Sequence, residues 1–231
     1  MPKNINSKNN NILVIGLGLI GSSLCRALKN SSYSEKICGY DHDKEVMEYA
    51  VEHNFVDESI KDLKSGIKEA DLVIICVPVH QVKKILDISK DFFNTKKVFT
   101  DTLSVKNPIL DFLAKNNLSN IDNLIFSHPM AGTEKQGYEA SFPELFENAT
   151  WIIEKPNSIL EQVIAELGAK PVLLDPETHD RAVAISSHLP LVLSLGLANL
   201  SDSFAPSKTT RGPGFASMTR LATGNAKLGR E

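Results

Sequence analysis

Continuous apolar runs alternate with segments of helical apolar spacing from residue 12 to residue 175. The run DLVIICVP at residues 71–78 is apolar between an acidic start and a proline stop, which is typical of a parallel strand covered on both faces. This alternation predicts a mostly parallel sheet with helices on both faces. The predicted strands are residues 12–15, 37–40, 71–78, 97–101, 124–126, 150–153 and 171–174, and the predicted helices are residues 22–28, 44–53, 82–89 and 159–167.

The pattern changes near residue 175, which divides the chain into two predicted domains. Over residues 179–198 the apolar positions follow helical spacing, and no further strand is predicted after them. The predicted fold class is therefore α/β: a Rossmann-type doubly wound, mostly parallel sheet over residues 12–175, followed by an all-helical second domain over residues 176–231 that is expected to be truncated. The polar residues 1–11 are expected to form a disordered leader.

Composition is that of an ordinary soluble globular protein. The chain has 231 residues, 42% hydrophobic and 23% charged, with a net charge of −3, so no nucleic-acid or membrane surface is indicated. No apolar stretch in residues 1–11 could serve as a signal peptide. Cys25, Cys38 and Cys76 stand in or beside apolar elements without metal-ligand spacing, so we expect reduced thiols, no metal site and a cytoplasmic location.

A glycine-rich signature, GLGLIG at residues 16–21, follows the first strand and opens a helix. Gly16 allows the tight bend, Gly18 lets the backbone approach a pyrophosphate, and Gly21 lets the helix pack close to the strand. The amide groups of Leu19 and Ile20 then face the phosphates at the helix N-terminus. Strand, glycine turn and helix together predict a dinucleotide site, to which we also assign Val77 and Pro78 at the end of a later strand.

Asp41, at the end of the second strand, indicates which dinucleotide is bound. A carboxylate there accepts hydrogen bonds from the ribose hydroxyls and repels a 2′-phosphate, which favours NAD over NADP. His42 and Lys44 soften that preference by offering positive charge. The alternative is that Asp41 only caps the helix that starts near Lys44.

The segment SHPMAGTEKQG at residues 127–137 places a histidine beside a proline and near two glycines, after the dinucleotide signature. Nicotinamide chemistry needs a partner that handles protons, and an unperturbed imidazole titrates near pH 6.5. His128 is therefore the candidate catalytic residue.

Several motifs, in order along nearly the whole chain, resemble those of the prephenate and arogenate dehydrogenases, the cyclohexadienyl dehydrogenases of tyrosine biosynthesis. The resemblance implies oxidative decarboxylation with NAD(P)⁺, which yields 4-hydroxyphenylpyruvate from prephenate or tyrosine from arogenate. The matching motifs are GLGLIGSSL, GYD, IICVPV, TDTLSVK, SHPMAGTEKQG, the pair His179 and Asp180, SSHLP and GPGFASMTRLATGN.

The resemblance also implies roles for individual residues. His128 accepts the proton of the C4 hydroxyl, and Ser104 orients that histidine, although Ser104 also fits a helix N-cap. Arg220 matches an arginine that binds a substrate carboxylate, where a solvated helix arginine is the alternative. Glu134 matches an acidic residue at the mouth of the pocket, although an exposed loop glutamate fits as well.

Two further histidines, His179 and His188, match residues that line the substrate pocket, and a structural place at a domain interface is the alternative for both. The chain departs from the family pattern at Leu191, where many members have a second histidine, so arogenate stays open beside prephenate. Ser217 stands where an acidic residue is common. The resemblance also implies further C-terminal helices that build a dimer core, so we expect a homodimer when those helices are present.

Two competing functions remain open on the sequence. Another dehydrogenase of the β-hydroxyacid or pyrroline-carboxylate reductase type would share the first half of the chain but lack the SHPMAG segment. A non-catalytic NAD-binding or regulatory module would not need His128, Ser104 and Arg220 together. We therefore favour an enzyme that acts on a small-molecule substrate, with no nucleic-acid or membrane partner.

Overall fold

A six-stranded parallel sheet forms the first part of the structure, a computed structural model that describes residues 10–31, 33–118, 121–133 and 135–223. Its spatial order is β3-β2-β1-β4-β5-β6. Every pair of neighbouring strands in it is parallel, as the apolar pattern predicted. The strands are β1 Asn10–Ile15, β2 Ser34–Tyr40, β3 Glu58–Ser59, β4 Leu72–Ile75, β5 Val98–Asp101 and β6 Leu124–Ile125.

A second sheet of three strands was not predicted. It contains β7 Ser127–Pro129, β8 Thr150–Ile153 and β9 Lys170–Leu173, in that spatial order. β7 pairs antiparallel with β8, and β8 pairs parallel with β9. The single strand expected over residues 124–126 therefore divides, and the chain passes from β6 in one sheet to β7 in the other. This places His128 within a strand rather than in a loop.

The helices cover the large sheet and form the second unit, which is the helical part of the chain from Pro176 onward. The helices are α1 Leu19–Lys29, α2 Lys44–Glu52, α3 Leu63–Glu69, α4 Val79–Ser89, α5 Asn107–Lys115, α6 Ser158–Glu166, α7 Pro176–Val183, α8 Leu189–Ser203 and α9 Pro213–Met218. The single helix expected over residues 179–198 is interrupted by a π-helical turn, Ala184–His188, directly before α8. Pro190 lies in the first turn of α8, where its missing N–H is tolerated.

The predicted boundaries of two segments need correction. Asn10 and Asn11 belong to β1 rather than to the expected leader, because their backbone pairs with Ser34 and Lys36 of β2. Residues 1–9 of that leader lie outside the described residues. The predicted helical spacing ends at residue 198, whereas the structure adds a short helix that begins at Pro213 and is followed by a separate 3₁₀ turn, Arg220–Thr223.

The core lies on both faces of the large sheet. Ile12 and Val14 of β1 pack into one apolar cluster, and Leu13 and Ile15 pack into another. Alternate residues of a strand point to opposite faces, so an apolar run with no polar interruption is what two covered faces require. β4 is buried over its whole length for the same reason.

The second unit exposes much of its apolar surface. The continuous helical segment Pro176–Ser203 spans 28 residues, reaches a mean hydropathy of 1.6 over its most apolar window, and has 11% of that window buried. A bilayer-spanning helix and a helix that packs against another protein both satisfy these criteria. The large apolar side chains exposed on this segment are Ile185, Leu189, Val192, Leu193 and Leu200.

Candidate active site

The predicted cofactor and catalytic residues meet at the carboxyl edge of the large sheet. The spatial order of the strands reverses between β1 and β4, which is where doubly wound sheets bind their ligands. The glycine turn follows β1, Asp41 follows β2, and Val77 and Pro78 follow β4. The segment 102–106 follows β5 at the same edge.

The glycine turn has the geometry that its three glycines predict. Gly16 has φ of 94°, and a Cβ atom there would lie 2.7 Å from the carbonyl oxygen of Cys76. A Cβ atom at Gly21 would clash with the carbonyl oxygen of Gly16 and lie 3.2 Å from the Val14 side chain. No atom lies within 4 Å of the corresponding position at Gly18. Gly16 and Gly21 are thus required by the fold, whereas Gly18 borders open space.

Asp41 joins the end of β2 to the glycine turn. Its Oδ2 atom accepts a hydrogen bond of 2.8 Å from the backbone N–H of Leu17, and its Oδ1 atom lies 2.8 Å from the His42 Nδ1 atom. The N-cap of α2 is Asp43, whose side chain accepts from the backbone N–H of Glu45. The capping role considered for Asp41 therefore belongs to Asp43.

The remaining predicted cofactor residues border the same crevice. Leu19 and Ile20 are half-buried in the first turn of α1, a helix whose N-cap residue, Gly18, provides no capping side chain. Val77 is half-buried, and the exposed Pro78 is the N-cap residue of α4. The N-termini of α1 and α4 thus lie at the edge where a pyrophosphate would bind.

His128 belongs to a buried row of hydrogen-bonded side chains. It is 8% exposed, and its Nδ1 atom lies 2.9 Å from the Nε2 atom of His179. The Nδ1 atom of His179 lies 2.8 Å from the Oδ1 atom of Asp180. The Asp180 carboxylate in turn accepts backbone hydrogen bonds from Lys106 and Asn107 at the start of α5. A residue of α7 thereby contacts His128 of β7.

Burial keeps the His128 ring neutral. Loss of solvent, with smaller contributions from the Lys106 charge and from His179 and His188, lowers the pKa of His128 to about 3. Burial also lowers the pKa of His179, and the hydrogen bond to Asp180 opposes that shift. A neutral imidazole has one nitrogen with a lone pair, so His128 is able to accept a hydrogen bond near neutral pH.

A buried ion pair supports the strand that carries His128. The Lys106 Nζ atom lies 2.5 Å from Asp101 Oδ1, and it donates to the carbonyl oxygens of Leu103 and Ser127. Burial raises the pKa of the Asp101 carboxyl and lowers the pKa of the Lys106 ammonium, and the attraction between the two charges opposes both shifts. The three donor positions of the ammonium are thus occupied, one of them by the residue before His128.

Ser127 is itself fixed by three further contacts. Its hydroxyl donates to the backbone oxygen of Asp101 at 2.6 Å and accepts from the Thr100 hydroxyl at 2.9 Å. The indole N–H of Trp151 also donates to it, at 3.1 Å. The backbone before His128 is therefore held by both sheets.

The structure separates the other predicted residues from this row. Ser104 is exposed in the loop before α5, and within the described residues the partner of the His128 Nδ1 atom is His179 rather than Ser104. His188 is half-buried at the end of the π-helical turn, close enough to contribute to the pKa of His128. Arg220 is exposed on the turn after α9. Glu134 lies outside the described residues.

Sequence reasoning missed the contacts of Asp101, Lys106 and Asp180. Lys106 and Asp180 stand in motifs that carry the family resemblance, but the hydrogen bond between them joins positions 74 residues apart, and no local spacing of residues predicts such a pair. The available signal was an acidic residue directly after a histidine, at His179 and Asp180.

The comparisons with known proteins agree with this geometry. Residues 24–172 match the family described as "Prephenate dehydrogenase, nucleotide-binding domain", and residues 175–231 match "Prephenate dehydrogenase, dimerization domain". The chain is 32% identical to a cyclohexadienyl dehydrogenase of Zymomonas mobilis over 231 residues, which is 94% of this chain and 78% of that protein. It is also 32% identical to a prephenate dehydrogenase of Lactococcus lactis over 222 residues, 94% of this chain and 62% of that protein.

A solved structure extends the likeness to the fold. The prephenate dehydrogenase of A. aeolicus, in complex with hydroxyphenyl propionate and NAD⁺, matches with a TM-score of 0.83 and 27% identity, covering 96% of this chain and 80% of the other. The first family match alone covers more than half of the chain, and the second begins where the sheet ends. The chain therefore belongs to the prephenate dehydrogenase family of oxidoreductases.

Proposed function

We propose that this chain catalyses the NAD-dependent oxidative decarboxylation of a cyclohexadienol, prephenate or arogenate, in tyrosine biosynthesis. The observation that carries the proposal is the neutral, buried His128 at the edge of the sheet where the glycine turn opens. A nicotinamide site alone is common to many enzymes. A proton acceptor held at the same edge is what an alcohol oxidation requires.

The residues of the turn fit a bound dinucleotide. The open space at Gly18 admits a pyrophosphate close to the backbone, and the helix dipole of α1 favours its negative charge. The Asp41 carboxylate favours NAD over NADP because it repels a 2′-phosphate. When bound, the cofactor supplies the hydride acceptor for C4 of the substrate.

The protein's part in the reaction is to hold a proton and to orient the ring. As the hydride leaves C4, the proton of the C4 hydroxyl moves to the Nε2 atom of His128. Loss of CO₂ from C1 then makes the ring aromatic and leaves a phenolate oxygen. His128 returns its proton to that oxygen, so the catalytic residue ends the cycle neutral.

Residues of the second unit are proposed to hold the substrate's charged groups. Arg220, exposed at the start of its turn, offers a planar guanidinium for a bidentate pair with a carboxylate. We propose that His188 and the exposed Ser104 border the same site. The role that the resemblance implies for Glu134 stays a prediction, since that residue lies outside the described residues. His179, by contrast, has both ring nitrogens bonded to protein groups, so we propose that it supports His128 and does not contact substrate.

The exposed apolar face of α8 is proposed to pack against a second copy of the chain. The match of residues 175–231 to a dimerization domain supports this assignment. We also propose that the enzyme acts in the cytoplasm, where the free thiols of Cys25, Cys38 and Cys76 stay reduced. Sedimentation equilibrium tests the dimer: a single monomeric species at micromolar concentration contradicts it.

The function is tested by mixing the protein with NAD⁺ and either prephenate or arogenate while following NADH absorbance. Formation of NADH with release of CO₂ supports the proposal, and the faster of the two reactions identifies the preferred substrate. NAD⁺ binding by calorimetry without turnover of either substrate contradicts it and favours a non-catalytic module. Saturating NADP⁺ in parallel reactions tests the cofactor assignment.

A further inference from the structure

Two residues of α7 complete the hydrogen bonding of a histidine that lies in the other part of the chain. His179 is 1% exposed, and the side chain of Asp180 is 15% exposed. Both are adjacent in the sequence, yet one contacts His128 on β7 and the other contacts the start of α5. The three side chains form a continuous row from the carboxylate of Asp180 to the ring of His128.

The direction of each hydrogen bond in this row follows from the backbone groups at its end. The Oδ1 atom of Asp180 accepts from the backbone N–H of Lys106 at 2.8 Å, and Oδ2 accepts from the N–H groups of Lys106 and Asn107 at 3.0 and 3.1 Å. Backbone N–H groups only donate, so the carboxylate is an acceptor throughout. The N-terminus of α5 also favours a negative charge at this position.

The Asp180 carboxylate therefore determines which ring nitrogen is protonated in His179 and in His128. Its 2.8 Å contact with the Nδ1 atom of His179 requires the proton to be on that nitrogen, which leaves the Nε2 atom of a neutral His179 as an acceptor. The Nδ1 atom of His128 must then donate across the 2.9 Å contact. The lone pair of His128 is thereby placed on Nε2, the nitrogen that has no part in the row.

We propose that Asp180 and His179 are positioning residues that hold His128 in the Nδ1–H tautomer, so that Nε2 is the atom that accepts the substrate's hydroxyl proton. The step at the substrate rests on the proposed function, whereas the tautomer is a property of the free protein. When Nε2 is protonated, the Nδ1–H group still donates to His179, and the carboxylate beyond it stabilises the positive charge. The second unit thus contributes to catalysis through the histidine of the first.

The tautomer is measured directly by NMR of the full chain labelled with ¹⁵N-histidine. The His128→Asn variant identifies the His128 signals by their loss. We expect the wild-type spectrum at neutral pH to show His128 protonated at Nδ1 and unprotonated at Nε2. Protonation at Nε2 instead overturns the proposal.

Asp180→Asn is the decisive variant. An amide group keeps an oxygen for the backbone N–H groups of α5 but presents its NH₂ group to His179. The protons of both rings should then shift, and His128 should become protonated at Nε2. The matched control is Asp175→Asn, which alters the N-cap of the same helix, where the side chain accepts from the backbone N–H of Thr178. The control should leave the His128 tautomer as in wild type, and an unchanged tautomer in Asp180→Asn contradicts the proposal.

Turnover provides a second readout. Asp180→Asn should lower kcat by about 10²-fold or more and leave Kd for NAD⁺ unchanged. A loss of this size is typical when a general base is removed or when a catalytic histidine is held in the wrong tautomer. His179→Gln keeps an acceptor oxygen for the Nδ1–H of His128 and should retain more activity than His179→Leu. Equal kcat values for these two variants and wild type overturn the role of His179. A wild type without turnover but with the expected tautomer removes the proposed function and leaves the positioning role standing.

Discussion

The Nδ1 atom of His128, on β7, lies 2.9 Å from the Nε2 atom of His179, on α7. This contact joins residues that are 51 positions apart and belong to the two segments matched as separate domains. In the proposed mechanism, the cofactor turn and the proton acceptor come from the first segment, and the groups that orient the acceptor come from the second. The proposal therefore requires both segments to be packed together before His128 has the tautomer that the reaction needs.

Removing the imidazole at position 128 should abolish most of the chemistry and leave cofactor binding intact. We expect His128→Asn to lower kcat by about 10²-fold or more, because general-base contributions are typically 10²–10⁴. The exposed His53, which stacks on Tyr49 at the C-terminal end of α2, provides the control variant His53→Asn. Steady-state kinetics measures kcat, and calorimetry measures NAD⁺ binding. Wild-type turnover in His128→Asn would contradict the role of His128 as the proton acceptor.

Substitutions at two glycines of the turn should distinguish an effect on cofactor binding from an effect on stability. Gly18→Ala meets no neighbouring atom, so the free energy of unfolding should stay unchanged while Kd for NAD⁺ rises by about tenfold, or about 1.4 kcal/mol. Gly21→Ala forces its Cβ atom against the carbonyl oxygen of Gly16 and should destabilise the fold by about 1–3 kcal/mol. Urea unfolding and calorimetry distinguish the two. Equal loss of stability in both variants would show that the space at Gly18 is needed by the fold.

Removing the charge of Asp41 should move the cofactor preference toward NADP⁺. Asp41→Asn keeps an oxygen that can accept from the Leu17 N–H, so the turn retains its 2.8 Å hydrogen bond while the repulsion of a 2′-phosphate is lost. We expect the ratio of the two Kd values to change by on the order of tenfold, about 1.4 kcal/mol. Asp43→Asn, with the same change in net charge in the cap of α2, should change the ratio less. Wild-type protein that binds both cofactors equally would contradict the assignment.

Breaking the buried ion pair should cost far more stability than breaking an exposed one. Lys106→Met leaves the fully buried carboxylate of Asp101 without its partner and should destabilise the fold by about 3–5 kcal/mol. Lys64→Met, which breaks the exposed pair with Asp91, should have a much smaller effect. Adding Asp101→Leu to Lys106→Met should restore part of the loss. Urea midpoints that are equal for Lys106→Met and Lys64→Met would refute the importance of the buried pair.

The low pKa of His128 should appear in the pH dependence of stability. The folded pKa of about 3 lies below the ordinary value of 6.5, so the unfolded chain binds more protons between these two pH values. The contribution of His128 to stability is therefore present above pH 6.5 and is lost as pH falls toward 3, by up to about 1.4 kcal/mol per pH unit.

His128→Asn removes this titrating group, so its stability should decline less steeply with acid than that of wild type. Urea unfolding at a series of pH values between about 6.5 and 4 measures the difference, and contributions from other groups cancel in the comparison. Parallel curves for the two proteins would show that His128 titrates near its ordinary pKa.

The sequence by itself determined the parts whose signals are local. The run at residues 12–15 predicted β1 because an interior parallel strand needs apolar residues on both faces. The spacing of the three glycines predicted the turn from neighbouring residues alone: Gly16 has φ of 94°, and a Cβ atom at Gly21 would clash with the carbonyl oxygen of Gly16, five positions earlier. The motif around His128 also indicated the family, because a short sequence motif is recognised from neighbouring residues alone.

Only the tertiary structure decided what depends on distant partners. α5 was not predicted because its N-terminus is capped by no neighbouring side chain but by Asp180, 73 positions beyond Asn107. The division between β6 and β7 was missed because it depends on pairing with β8, not on apolar spacing. His179 was not predicted as the partner of the His128 Nδ1 atom, because the contact joins residues 51 positions apart that only the tertiary structure brings within hydrogen-bond distance. The orienting role of Ser104 stays a prediction.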